Sequence, residues 1–242
     1  MNLPLDGFEV AIVLVAVFVG ALVQGGIGFG MNLVVVPVVA LVEPSALPGV
    51  AVLLGLPLSI TMFRHEPHAL DRTGLRWILT GRVPGTLLGA WIVTAVSALT
   101  LSAIAGAAVL GAVAMSVVGF HLRIEPRSCL AAGAASGVMN TTAGIGGPPV
   151  ALLYQREDGP VVRSTLAAVF FVGTLMSITM LTITGSMHWW QVRFGAVLAP
   201  GAVLGAIASR PLKPVLDAGW LRPAVLTFAA GSALMTIVNA VT

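Results

Sequence analysis

The chain has 242 residues, 57% of them hydrophobic and 9% charged, with a mean hydropathy of +1.02. Twelve Lys and Arg with nine Asp and Glu cannot cover a water-soluble domain, where roughly a quarter of residues are charged, so lipid is the solvent for most of the chain. The net charge of +3 does not mark a nucleic-acid binder, because the basic residues sit in short loops between apolar runs, where they orient a membrane protein.

In chain order, Asp6 and Glu9 precede the first apolar run with no Lys or Arg, the wrong charge for the start of a signal peptide. An arm Phe8–Gln24 leads to the tip Gly25-Gly26-Ile27-Gly28-Phe29-Gly30 and a second arm Met31–Val42. Spans follow at about Leu47–Phe63, Gly74–Val96 and Leu101–Phe120. The pattern recurs as an arm Ser128–Thr142, the tip Ala143-Gly144-Ile145-Gly146-Gly147-Pro148-Pro149, and a short arm to Tyr154. Spans at about Val162–Gly185, Gln191–Ser209 and Leu221–Val241 complete it. The runs are continuously apolar and glycine-rich, which suits helices and not the alternation of a β-barrel. The predicted class is an all-α polytopic membrane protein.

The letters repeat. Pro84-Gly85-Thr86-Leu87-Leu88-Gly89-Ala90 lies 116 positions before Pro200-Gly201-Ala202-Val203-Leu204-Gly205-Ala206. The same offset pairs Gln24 with Asn140, Gly28 with Gly144 and Gly30 with Gly146, and Ser59-Ile60-Thr61-Met62 recurs at Ser177-Ile178-Thr179-Met180. Such spacing argues for two homologous halves in one membrane domain, residues 1–120 and 121–242, each a hairpin plus three spans. Arg64, Arg72 and Arg76, then Arg123 and Arg127, then Arg156 and Arg163, then Arg210, Lys213 and Arg222 fall in four loops, which the positive-inside rule places in the cytoplasm. Both termini then lie outside, and the halves are inverted relative to each other. Arms of 12 to 17 residues reach only about 18–25 Å, so both glycine tips are expected at some depth, near each other at the midplane.

Candidate substrate-binding residues follow from that placement: Gln24, Gly26, Gly28, Gly30 and Asn32 at the first tip, and Asn140, Thr141, Thr142, Gly144, Gly146 and Gly147 at the second. Glycine leaves amide N–H groups open, and a helix beginning after each tip adds partial positive charge, a combination suited to an anion. The competing reading is that these glycines only let helices pack closely. Ser59, Thr61, Ser177 and Thr179 either line the substrate path or bond back to their own helices. Arg82 either snorkels to the cytoplasmic surface or draws anions inward.

Every Asp and Glu falls in a loop or at a span end (Glu43, Glu66, Asp71, Glu125, Glu157, Asp158 and Asp217 after the first run), as do His65, His68, His121 and His188, so no embedded carboxylate relay is visible. No zinc-protease motif and no nucleophile elbow occurs, and neither enzyme activity, a metal nor a cofactor is expected. The single cysteine, Cys129, reads as a small apolar filler, and Trp77, Trp189, Trp190 and Trp220 as an interfacial belt.

With both tips in view, the sequence resembles the TauE/SafE-type sulfite exporter family of bacterial membrane permeases. The resemblance rests on the two glycine tips, the runs Gly85–Ala90 and Gly201–Ala206, and the polar loop containing Arg64, His65 and Asp71, and it covers nearly the whole chain. It implies transport of sulfite, sulfonates or other small anions. The chain departs from the family pattern in Phe29, which interrupts the first run of glycines, and in Pro148-Pro149. The expectation is a secondary transporter of small anions in the cytoplasmic (inner) membrane, working by alternating access, with the bilayer and the anion as its partners. The coupling ion is left open, and a homo-oligomer is compatible with the sequence. A passive anion channel and a non-transporting accessory subunit are the alternatives.

Overall fold

A computed structural model describes residues 5–64, 69–118, 122–216 and 221–241, with side chains left out of account at 118, 212–216, 221–225 and 239–241. His65, Glu66, His68, His121, Asp217 and Trp220, and the side chains of Lys213 and Arg222, lie outside the described residues.

The described residues form helices and no strand. They are α1 (Gly7–Ile27), α2 (Met31–Val42), a 3-10 turn at Pro44–Ala46, α3 (Gly49–Phe63), α4 (Arg72–Ala95) and α5 (Ala98–Val118). The second set is α6 (Pro126–Ala143), α7 (Gly147–Tyr154), α8 (Gly159–Ile183), α9 (Trp189–Leu216) and α10 (Leu221–Val241). Five of them (α1, α4, α5, α8 and α9) are long and apolar enough to cross a bilayer. Their lipid-facing surface is apolar, with Val15, Leu87, Val117 and Leu204 each more than half exposed.

Local chemistry sets the ends. Asp6 and Glu9 form a reciprocal capping box on α1, so the acidic pair read from the sequence is a helix start. The Asp71 carboxylate accepts from the amides of Thr73 and Gly74 and caps α4. Pro126 opens α6, where its missing N–H costs nothing. Gly28 (φ 101°) and Gly144 (φ 74°) end α1 and α6 in the left-handed conformation that glycine adopts without strain.

One expectation is corrected here. Gly25 and Gly26 belong to α1 and not to the turn, so this arm has 21 residues and is about 31 Å long, enough to cross the hydrocarbon by itself. The short arms are α2, with 12 residues, and α7, with 8. Small residues carry α1 past the glycines because it packs there against α9, where a Cβ on Gly25 would overlap Ser209.

Packing follows a pattern in which α4 lies along α6 and α9 along α1, α3 meets α8 and α9, α8 meets α4, α5 pairs with α10, and α2 and α7 touch α10 and α5 respectively. Exchanging α1–α5 for α6–α10 maps these contacts onto one another. The closest seam is α4–α6: a Cβ on Gly81 would strike the Leu130 carbonyl, one on Gly85 that of Ala134, and one on Gly133 that of Ile78. Gly201 and Gly205 of α9 approach Leu14 and Phe18 of α1 in the same manner.

The two seams differ in register. Gly89 faces Val138 and Thr141, whereas Gly205 faces Phe18 and Ala21. Under the 116-residue offset that pairs Gly89 with Gly205 and the end of α1 with that of α6, Val138 corresponds to Leu22. The α9–α1 seam is therefore displaced from the α4–α6 seam by four residues, about 6 Å or one turn.

Candidate functional site

The two glycine tips meet. Asn32, at the start of α2, donates through Nδ2 to the Gly144 carbonyl in the second tip and, at 3.0 Å, to the Ala51 carbonyl of α3. A Cβ on Gly144 would overlap Ala51, and one on Gly147 would press on Phe29, so glycine is what allows this approach.

Between the tips lies a cavity of about 40 Å³. Seven of the eleven residues expected at the tips line it: Gln24, Gly30, Asn32, Asn140, Gly144, Gly146 and Gly147. Gly55 of α3 and Phe170 and Thr174 of α8 add to the wall. Gly26 borders a second space instead, and Gly28 packs against Val162 and Arg163. Thr141 and Thr142 are buried in α6 behind the wall and bond back to the carbonyls of Gly137 and Val138.

The polar groups around the cavity are oriented by specific partners. Gln24 Oε1 accepts from the Met31 amide at 3.0 Å, which leaves Nε2 without a partner among the described residues. Asn140 Nδ2 donates to Ser177 Oγ at 2.9 Å, and Thr141 Oγ1 shares a hydrogen bond with the same hydroxyl. Asn32 was expected to bring donors, but its amide hydrogens are used by Ala51 and Gly144, and it retains a buried, unpaired Oδ1. The backbone amides of Gly30 and Asn32, and those of Gly146 and Gly147, find no acceptor among the described residues. These two pairs stand at the N-termini of α2 and α7. Unpaired amide donors at two helix starts on one cavity wall give a field that favours negative charge, with Asn32 Oδ1 as the unpaired acceptor beside them.

Of the four hydroxyls read as lining candidates, none reaches the cavity. Ser59 and Thr61 bond back to the carbonyls of Gly55 and Pro57. Thr179 bonds back to Leu175 and is exposed toward lipid. Ser177 acts one bond away, through Asn140. The hydroxyl that does line the cavity, Thr174, stands about one turn before Ser177 and outside the repeated Ser-Ile-Thr-Met letters, so the repeat carries no signal for it. Arg82 does not snorkel: it is fully buried among α4, α6 and α8, with Nη1 donating to Ser136 Oγ at 2.9 Å and Ser136 donating onward to the Gly146 carbonyl.

A larger space of about 280 Å³ lies beyond Phe29 and Pro148, which border both volumes. Gly26, Ser116, Gln155, Gly159 and Arg163 surround it, at the end of the bundle that carries the basic loops. Phe29, with Pro148, thus stands between the inner chamber and the larger space.

A membrane-embedded helical bundle with paired glycine-tipped hairpins enclosing a donor-rich chamber is a transport protein of the polytopic permease class. The model of the family described as Sulfite exporter TauE/SafE matches residues 12–236, and the chain belongs to that family of membrane anion exporters, which are transporters and not enzymes. No curated protein and no solved structure matches the chain.

Proposed function

We propose that this protein is a secondary carrier that moves a small oxyanion, sulfite first, across the cytoplasmic membrane by alternating access, with the anion bound between the two tips. The observation that carries this reading is the chamber itself: the starts of α2 and α7, with amides that find no acceptor among the described residues, both line a cavity of about 40 Å³. At roughly 10–15 Å³ per water, such a space holds about three waters or an anion of four heavy atoms such as sulfite, and is tight for a longer organosulfonate. Gln24 Nε2 and the amides of Gly30, Asn32, Gly146 and Gly147 would take the anion's oxygens, while Asn140, held by Ser177, shapes the wall.

The two halves, 1–120 and 121–242, are read as an inverted repeat, supported by the exchange pattern of helix contacts and by the matching ends of α1 and α6. The basic loops favour a cytoplasmic vestibule and external termini. Sulfite counterflow in proteoliposomes tests the reading. Saturable counterflow in the natural protein, lost in Asn140→Leu and Gly144→Leu, is the expected result. Unsaturable conduction would indicate a channel, and flux unchanged in both variants would remove the tips from the path.

A further inference from the structure

Among the described residues, Arg82 is the one charged side chain that is buried with unpaired polar atoms. It lies near the middle of α4, fully buried, with Nε and Nη2 lacking any hydrogen-bond partner and no ion pair to it among the described residues. Ser136 occupies only Nη1, so the unpaired atoms form the side-on edge of the guanidinium, two parallel N–H groups spaced to grip two oxygens of one oxyanion. Thr86, one turn further along the same helix face, is also buried with an unpaired hydroxyl. Gly173 makes room for the guanidinium itself, since a Cβ there would overlap it, and in this conformation no water-sized space touches Nε or Nη2. Arg82 does not itself line the chamber but stands one residue behind its wall: Ser136 bridges it to Gly146, a lining residue, and Gly173 precedes Thr174, another.

A guanidinium cannot shed its proton to escape burial, and an uncompensated charge at this depth is retained only where something supplies its counter-charge. We propose that the transported anion becomes that counter-charge during the transport cycle: the Nε and Nη2 edge of Arg82, sealed by protein in this conformation, takes two of its oxygens when the packing around α4 shifts, with the Thr86 hydroxyl as an added donor. The proposal rests on the transport reading above and assigns a charge-bearing residue beside the chamber in which that reading places the anion. It also accounts for the absence of an ion pair to Arg82 among the described residues, since a resident carboxylate would compete with the cargo.

The test combines thermal unfolding of the purified full chain, with and without sulfite, and sulfite counterflow, in the natural protein and in Arg82→Met, Arg82→Lys and Ser136→Ala. Sulfite should raise the melting temperature of the natural protein. Arg82→Met should unfold at the same or a higher temperature without sulfite, because a buried unpaired charge has been removed, yet lose the sulfite-dependent shift. Its affinity should fall at least roughly tenfold, the loss of a charge-assisted pair. Arg82→Lys, which keeps the charge but not the planar edge, should fall between. If Arg82→Met does not fold, Arg82→Gln, which keeps a donor for Ser136 without the charge, must lose the sulfite shift in its place. The proposal is overturned if the neutral variant keeps its sulfite response within twofold. It is equally overturned if Arg82→Met melts lower and Ser136→Ala reproduces its transport loss, since Arg82 would then be a structural strut. If sulfite has no effect on the natural protein while nitrate or chloride stabilises it in an Arg82-dependent way, the sulfite reading fails and the counter-charge stands. If no anion acts, both fall.

Discussion

Ser177 and Thr179 stand two residues apart on α8, and at about 100° per residue they point roughly 200° apart around the helix. One is fully buried and bonded to both Asn140 and Thr141, while the other faces lipid with its hydroxyl returned to Leu175. Ser177→Ala should therefore destabilise by about 1–3 kcal/mol, because it leaves the buried Asn140 amide unpaired, whereas Thr179→Val should stay within about 0.5 kcal/mol. Thermal unfolding followed with a thiol-reactive dye on the buried Cys129 measures both. The letters alone could not separate them, since the repeat pairs both with hydroxyls in the first half. Arg82 illustrates the same limit. Its position mid-span was legible, but whether a long side chain reaches the surface or stays inside depends on the neighbours that α6 and α8 place around it.

At the scale of the helix, punctuation by charge and proline was legible and punctuation by glycine was less so. Met31–Val42 and Leu221–Val241 coincide with α2 and α10, while α1 extends three residues beyond its expected end at Gln24. Glycine breaks a helix in water because the freed backbone gains solvent and entropy; in lipid the same backbone has no other partner, and close packing against α9 keeps it helical. The short arms depend on anchors at their outer ends. Tyr154 Oη, closing α7, donates to Asp71 Oδ2 at 2.8 Å, and the Asp71 amide donates to Thr165 Oγ1 of α8 at 3.1 Å. Gln191 of α9 holds the turn after α2 by donating to the Ser45 carbonyl at 2.7 Å. Asp71→Ala removes both the α4 cap and the acceptor of Tyr154, and should cost about 1–2 kcal/mol, more than Tyr154→Phe, which removes only the second. The same unfolding assay ranks the two, and an equal or reversed order would mean that the cap contributes nothing.

Across the whole molecule, the tips and the repeat were readable because glycine and the 116-residue offset are properties of the letters. The one-turn difference between the α4–α6 and α9–α1 seams was not, since equal sequences can pack in either of two registers. Small residues line both seams, so few interlocking side chains oppose a slide from one register to the other. Spin labels at Thr73 and Arg127, and at the corresponding Trp189 and Ala11, report on the two seams from exposed positions. Addition of sulfite across a transport cycle should change the two distances in opposite senses, each by up to about 6 Å. Distances that move together, or not at all, would tie the offset to a fixed asymmetry.

If the halves trade registers, the two end states contain nearly the same set of interfaces, merely reassigned, and most of their internal energy cancels. What remains to tilt the balance are positions where the halves carry different residues. The sharpest contrast is Arg82 against its counterpart Leu198, a buried cation set against a buried hydrocarbon. Occupancy of a single guanidinium by cargo then acts as the weight on an otherwise level beam, letting a very small molecule tip the whole bundle.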